Sequence, residues 1–399
     1  MPRPKLPGHR VVARVTLDVA VRREFDYLVP AELESSVHEG TRVKVPFGPR
    51  EVMGVVTKVL DESPHGNLRE IIKTVGGQAL VTPPILRLVR WIADYYCCAP
   101  EVAMKAVLPD AVRKEADGWR ERLFVRALPV HGELPKLTKR QTDLWTIVEE
   151  WRELPLQELV RLAGTTSATI RKLEDKGLVS IAPQISERDP YGKEHILPSQ
   201  PLELNAEQAT ALKSVIDAME RLAKPGDDGA KPGGNSVFLL HGVTGSGKTE
   251  VYLQAAAAVI ARHRQVLVLV PEIALTPQFI ARIENTVGGR LVVLHSQMSA
   301  GERHRAWWAA SAGLADVVLG TRLAVLAPFK ALGLVIVDEE HDLSYKQQDG
   351  FRYHARDVAV KRAQVAQVPV VLGSATPSLE SIANVQCGRY QLLSLPERA

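Results

Sequence analysis

HGVTGSGKT, residues 241–249, lies between an apolar run, Val237 to Leu240, and a stretch with helical patterning, Glu250 to Arg262. Gly242 through Thr249 fits the phosphate-loop pattern G-x-x-x-x-G-K-[ST], and the strand before it and the helix after it supply the context that a bare pattern match lacks. The run Gly242, Val243, Thr244, Gly245, Ser246, Gly247 presents backbone N–H groups to phosphates at a helix N-terminus, where the helix dipole favours negative charge. In that geometry Lys248 reaches the β- and γ-phosphates of a nucleotide, and the Thr249 hydroxyl ligates Mg²⁺. A glycine-rich turn that binds nothing is the plain alternative, and the flanking strand and helix weigh against it.

Working outward, apolar strand-like runs alternate with helical ones from Ser236 onward: VFLL, EVYLQAAAAVIARH, VLVLV, ALTPQFIARIENTV, LVVLH, DVVLG, LVIV and VPVVLG. Such alternation predicts an α/β domain, a parallel sheet covered by helices on both faces. After the run Leu334 to Val337 comes Asp338-Glu339-Glu340-His341. An acid at the carboxyl end of a parallel strand lies at the same mouth of the sheet as the phosphate loop. Asp338 is thus expected to hold Mg²⁺, and Glu339 to polarise an attacking water, because phosphoryl transfer asks for positioning and electrostatics. DEEH by itself reads equally well as a surface acidic cluster; the upstream phosphate loop separates the two readings. Gly373-Ser374-Ala375-Thr376-Pro377 follows Val368 to Leu372 and ends at the same edge. His341, Ser374 and Thr376 are the candidates there for coupling the carboxylates to a neighbouring domain.

The 399 residues have room for about two to four domains, and 45% hydrophobic with 24% charged residues is an ordinary globular balance. No run of eighteen apolar residues and no apolar secretory core near the N-terminus occurs, so a membrane partner is not expected and the cytoplasm is the expected compartment. Three cysteines, two of them the adjacent Cys97 and Cys98, form neither a disulfide framework nor a zinc site. A formal charge of +4 permits nucleic acid without requiring it.

Upstream, Val11 to Leu17, Thr41 to Pro46 and Val52 to Val59 alternate apolar and polar positions between Gly, Pro and charged turns, which reads as a small β-rich domain followed by a helix at Thr82 to Tyr96. Thr138 to Pro183 is helical, broken at Leu154-Pro155 and Gly164-Thr165-Thr166, and closes in an extended Leu178 to Ile181. That order suggests a winged helix-turn-helix. Its second helix, Ser167 to Lys176, carries Arg171 and Lys172 toward DNA phosphates, while Glu158, Glu174 and Asp175 dilute the field, so a spacer or protein-docking role stays open. Ile185 to Pro201 and Ala223 to Ser236 read as a connector and a surface loop. The expected domains are 1–115, 116–200 with its linker, and 201–399.

The set GVTGSGKTEVY (242–252), VPEIALTPQ (270–278), GTRLAVLAPF (320–329), VDEEHDLSYKQQDGFRYHARDVAV (337–360) and GSATPSLES (373–381) resembles the PriA family of superfamily 2 DNA helicases. VARVTLDVAVRREFDYLVP (12–30) and GTRVKVPFGPREVMGVV (40–56) are similar to that family's domain for capturing the 3′ end of a DNA strand. The resemblance implies an ATP- and Mg²⁺-dependent 3′-to-5′ helicase of bacterial replication restart, with a RecA-like lobe. It implies forked and single-stranded DNA as partners, together with single-stranded-DNA-binding protein and other primosome proteins. It places Asp26 on a 3′-terminal hydroxyl and Gln208 on adenine. It also puts Tyr345, Lys346, Phe351, Arg352 and Tyr353 in an aromatic-rich segment that senses single-stranded DNA. Aromatics interleaved with Lys346, Arg352 and Arg356 suit base stacking and phosphate contact. Core packing is the competing fate of the aromatics, and Asp26 reads otherwise as a turn cap.

Such motors pair two RecA-like lobes, and only the first is expected within these residues; the family's zinc-binding cysteines would belong to the other half. Without an arginine finger from a second lobe, hydrolysis would lose on the order of 10³ to 10⁵ in rate. A fork-binding scaffold that holds ATP without unwinding is therefore the alternative function. An ABC-type ATPase would need an LSGGQ-like signature, and none occurs.

Overall fold

The computed structural model describes residues 11–19, 21–75, 81–108, 123–127, 138–151, 153–155, 159–160, 163, 165, 167–174, 176, 178–183, 202–223, 236–287 and 290–398. The connector expected at 185–201, and nearly all of the loop expected at 223–236, lie outside the described residues. The chain clusters into two compact units, Met1–Lys114 with His195–Ala399, and Glu115–Glu194.

The first unit begins with an antiparallel sheet of β1 (Val12–Leu17), β2 (Phe25–Leu28), β3 (Arg42–Phe47), β4 (Arg50–Leu60) and β5 (Lys73–Thr74), in the order β2-β1-β4-β3-β5. Period-two burial drives it: Ala13, Val15 and Leu17 of β1 and Val43 and Val45 of β3 point into one core. A two-residue turn joins β3 to β4, and Gly48 takes φ +60 there. Two helices follow, α1 (Pro83–Tyr95) and α2 (Pro100–Val107), each with proline at its start, where the missing N–H costs nothing. The expected helix at 82–96 corresponds to α1. Helix α2, only eight residues, is too short for periodicity to reveal. Ile85, Leu88 and Val89 of α1 share a core with Val358 and Ala359 of the later sheet domain, so these helices are packed against it.

The second unit contains β6 (Leu123–Ala127), α3 (Lys139–Trp151), β7 (Glu153–Pro155), α4 (Ser167–Glu174) and β8 (Val179–Pro183). Its strands pair antiparallel in the order β7-β6-β8 over a core that includes Val125, Leu144, Trp145, Ile170 and Leu173. Leu154-Pro155, read as a helix break, is a strand. Proline is tolerated there because β7 is an edge strand.

The remainder of the first unit is α5 (Ala206–Leu222), β9 (Val237–Gly242), α6 (Lys248–Ile260), β10 (Gln265–Leu269), α7 (Pro277–Val287), β11 (Leu291–Leu294), α8 (Ala300–Ala312), β12 (Val317–Gly320), β13 (Leu332–Val337), α9 (Ala355–Ala366), β14 (Val370–Ser374), α10 (Leu379–Gln386) and β15 (Gln391–Leu395). Its seven strands run in the order β11-β12-β10-β13-β14-β9-β15, and every pairing is parallel. All residues of β10, β13 and β14 are buried, because helices cover both faces. Helix α8 was not read from its sequence, although Ser299 and Glu302 form a capping box at its start. Strands β13, β14 and β9 are consecutive neighbours, so their carboxyl ends bring three loops together: the phosphate loop, DEEH and GSATP.

Candidate nucleotide site and DNA interface

The phosphate loop is shaped by its glycines. Gly245 and Gly247 hold φ +83 and +78, a region costly for other residues, and Gly247 caps α6. A Cβ on Gly242 would lie 2.4 Å from Ser246 Oγ, so that close approach also requires glycine. Lys248 is buried and donates from Nζ to the Gly242 carbonyl at 2.8 Å, while Glu339 Oε1 lies 4.0 Å away. Gln208 is buried beside the loop: its Nε2 donates to the Ser246 carbonyl at 2.9 Å, and its Oε1 accepts from Asn205 N–H in the capping box that opens α5.

Asp338 and Glu339 follow directly from β13. Burial first, and the charge of Glu339 second, push the Asp338 carboxyl up to about 6. Tyr252 of α6, one turn after Lys248, donates its hydroxyl to Asp338 Oδ1 at 3.1 Å. Tyr345 donates to the Asp338 carbonyl at 2.5 Å. Both phenols are pushed well above their ordinary range, chiefly by burial, and therefore stay protonated as donors. Glu339 stands at φ +44, the left-handed region that costs a non-glycine residue of order 1 kcal/mol or more. It sits between Lys248 and His341, whose Nδ1 lies 3.6 Å from Oε2.

Glu340 is fully buried and faces away from that cluster. It accepts from Arg356 Nη1, from the N–H and hydroxyl of Ser378, and from the Ser381 hydroxyl, at 2.7–3.0 Å. The ion pair thus has its remaining lone pairs satisfied, the condition for a buried charge to persist. His341 leaves in the third direction: Nδ1 lies 2.7 Å from Ser374 Oγ and Nε2 lies 3.3 Å from Thr376 Oγ1. The three residues expected to act together are therefore in contact.

The aromatic-rich segment is divided. Lys346 and Arg352 are exposed and Phe351 is half-buried. Tyr345 and Tyr353, expected to stack on bases, are instead 0% and 3% exposed, so neither offers a free face in this structure. Their hydroxyls explain the burial: Tyr345 supports Asp338, and Tyr353 donates to the Arg322 carbonyl at 3.3 Å. Arg322 in turn donates to Gln347 at 2.6 Å and pairs with Glu272 at 3.6 Å, linking the segment to GTRLAVLAPF and VPEIALTPQ. Phe351 stacks on Tyr353 and meets Tyr96 edge-on.

Asp26 lies on β2 away from these loops. Arg14 of β1 grips both its oxygens, at 2.8 and 3.1 Å, and the Ser63 hydroxyl donates to Oδ2 at 2.7 Å. That bonding holds the carboxyl below its ordinary range, with Arg14 the leading cause. Its side chain is 2% exposed, so it is no simple turn cap. In the second unit Arg171 is exposed on α4, and the side chain of Lys172 lies outside the described residues.

Sequence reading missed Tyr252, Glu340, Ser378 and Ser381, and Arg356, expected to contact DNA phosphates, is instead buried against Glu340. Tyr252 carried a signal, since positions i and i+4 share a helix face with Lys248. The Glu340 partners lie 16 to 41 positions away and carried none.

The donor set fits a magnesium nucleotide. No group of three or more His, Cys, Asp and Glu able to hold a metal occurs among the described residues. Mg²⁺ needs no such cage, because it is held by one or two protein oxygens plus phosphates and water. Asp338 and Thr249 are the residues that would supply those oxygens, and Gly245 and Gly247 give the loop its cradle. No helix among the described residues is long and apolar enough to cross a membrane.

Residues 14–109 match the PriA 3′DNA-binding domain family, and residues 208–385 match the DEAD/DEAH box helicase family. The chain is 34% identical to the replication restart protein PriA of Bacillus subtilis, covering 97% of this chain and 56% of the relative. It is 37% identical to the PriA of Haemophilus influenzae, covering 97% and 52%. It is 32% identical to that of Synechocystis, covering 94% and 53%. The chain spans about half the length of the curated relatives it matches. With matching 3′DNA-binding and helicase domains and a sheet edge that unites their motor motifs, the chain belongs to the PriA replication restart family.

Proposed function

We propose that this chain binds ATP with Mg²⁺ and couples its hydrolysis to 3′-to-5′ movement on DNA in replication restart, with forked and single-stranded DNA as its partners. The observation that carries the reading is the meeting of Lys248, Asp338 and Glu339 at one sheet edge, with His341 reaching from Glu339 to Ser374 and Thr376. Thr249 and Asp338 would hold Mg²⁺, which would supply charge neutralisation to the phosphates. Lys248 exchanges its bond to the Gly242 carbonyl for phosphate oxygens. Glu339 Oε1 accepts the proton of the attacking water, in a geometry that its left-handed backbone fixes. Gln208 reads adenine, and His341 passes the state of the site to the GSATP loop.

Asp26 serves a 3′-terminal hydroxyl, which a carboxylate tolerates and a 3′ phosphate would not. Lys346, Phe351 and Arg352 supply contacts to single-stranded DNA from the exposed part of their segment. Residues 116–200 act as a winged helix that meets DNA phosphates through Arg171 and Lys172, between a 3′-end-binding domain at 1–115 and a RecA-like lobe at 201–399. The protein partners are single-stranded-DNA-binding protein and other primosome proteins, in the bacterial cytoplasm at the nucleoid.

The test is ATP turnover by the 399-residue chain with saturating forked DNA, with Lys248→Ala as control. Turnover above the control supports the motor. Fork binding with turnover equal to the control establishes the scaffold reading instead.

A further inference from the structure

A cavity of about 130 Å³ lies between the end of α2 and the sheet domain. Leu323 and Leu326, in the turn after β12, give it an apolar wall. Its polar side chains are Lys105, His295, Arg303 and Trp307, with no carboxylate among them. Lys105 is paired with Asp18 at 2.9 Å. Arg303 donates from Nη2 to the carbonyls of Ser296 and Met298, at 3.3 and 3.2 Å. The Nε of Arg303 and the Nε1 of Trp307 are buried and have no hydrogen-bond partner among the described residues. Trp307 is 3% exposed, and it stands at i+4 from Arg303, on the same face of α8.

Folded proteins pair nearly all buried N–H groups, and two unpaired donors lining one cavity specify an acceptor. A guanidinium, an imidazole and an indole N–H, with no acid beside them, select an anionic oxygen over a neutral one. The cavity lies off the carboxyl end of β11, the edge of a parallel sheet where ligands bind. It is lined from one side by the region matching a 3′DNA-binding domain and from the other by the region matching a helicase.

We propose that this cavity is an oxyanion subsite that takes a backbone phosphate of single-stranded DNA, with Arg303 Nε and Trp307 Nε1 as its donors. The leucine wall covers the adjoining sugar. The proposal rests on the DNA-binding reading above.

The experiment measures the affinity of the full chain for a fluorescein-labelled single-stranded oligonucleotide by anisotropy, between about 50 and 200 mM salt. Trp307→Phe keeps an aromatic ring and the net charge while deleting the indole N–H; it is expected to weaken binding about threefold to tenfold with the salt slope unchanged. Arg303→Gln removes a charge; it is expected to weaken binding about tenfold and to lower the slope by about 0.7. Wild-type affinity in both variants overturns the subsite, and water is then the partner of these donors. If Arg303→Gln fails to fold by circular dichroism, Trp307→Phe decides alone. A parallel titration with inorganic phosphate, read by tryptophan emission, separates the sources. A phosphate response lost in Arg303→Gln, with oligonucleotide affinity unchanged, overturns DNA as the ligand. Failure of the wild-type chain to bind the oligonucleotide would count against the proposed function itself.

Discussion

The hydroxyl of Tyr252 holds Asp338 Oδ1 at 3.1 Å, and it can do so only because residue 373 is glycine. A Cβ at Gly373 would lie 1.5 Å from that hydroxyl oxygen. One phenol on the phosphate-loop helix thus fixes the carboxylate of the second motif through a gap left by the third.

Tyr252→Phe is expected to lose about 0.5–1.5 kcal/mol of stability and to raise the Mg²⁺ concentration needed for half-maximal binding of a fluorescent ATP analogue. Gly373→Ala is expected to cost more, about 1–3 kcal/mol, through overpacking. In a double-mutant cycle by urea denaturation, Tyr252→Phe should relieve part of the Gly373→Ala cost. Strict additivity would show that the two positions do not share the gap.

Glu340→Ala leaves the Arg356 guanidinium buried without its main carboxylate, and a loss of about 3–5 kcal/mol is expected from chemical denaturation. An effect below about 1 kcal/mol would mean that Asp357, 3.1 Å from Arg356 Nε, already carries the charge.

Because Asp338 is raised from 3.8 to about 6, the folded state binds its proton more tightly than the unfolded state does. Stability contributed by this residue therefore falls as pH rises from near 3.8 through about 6. Asp338→Asn is expected to melt above wild type at pH values over about 6 and level with it at pH values below about 4. The same variant should lose Mg²⁺-dependent nucleotide binding, and in the wild-type chain that binding should decline as pH falls below about 6.

An oligonucleotide ending in a 3′ hydroxyl should bind more tightly than its 3′-phosphate counterpart, by about tenfold. Asp26→Ala should erase the difference. Arg14→Ala should reduce it, because the pair places the carboxylate. Equal affinities in wild type would remove Asp26 from the DNA site.

Much of the site was legible without coordinates. HGVTGSGKT, DEEH and GSATP each stand at the end of an apolar run, and parallel strands must present such ends at one edge. Composition and periodicity also foretold the parallel sheet, because strands buried on both faces show unbroken apolar runs. Short elements escaped: α2, β5 and β7 have too few residues for a period to show. The fate of Tyr345 and Tyr353 escaped for a different reason. A polar segment can bury individual rings whenever a hydroxyl has a distant partner, here the Asp338 and Arg322 carbonyls, and sequence distance conceals that partner.

The sequence by itself determined the kind of chemistry: a phosphate loop, a strand-end acid and a hydroxyl-bearing turn, each defined by residues close together in the chain. Tertiary structure alone decided which groups face one another. Strand order made β13, β14 and β9 neighbours, and packing then turned Tyr252 onto Asp338, Glu340 onto Arg356 and His341 onto Ser374. The physical reason is that local patterns set backbone conformation and burial, whereas hydrogen-bond partners across 16 to 86 residues are chosen only when the sheet closes.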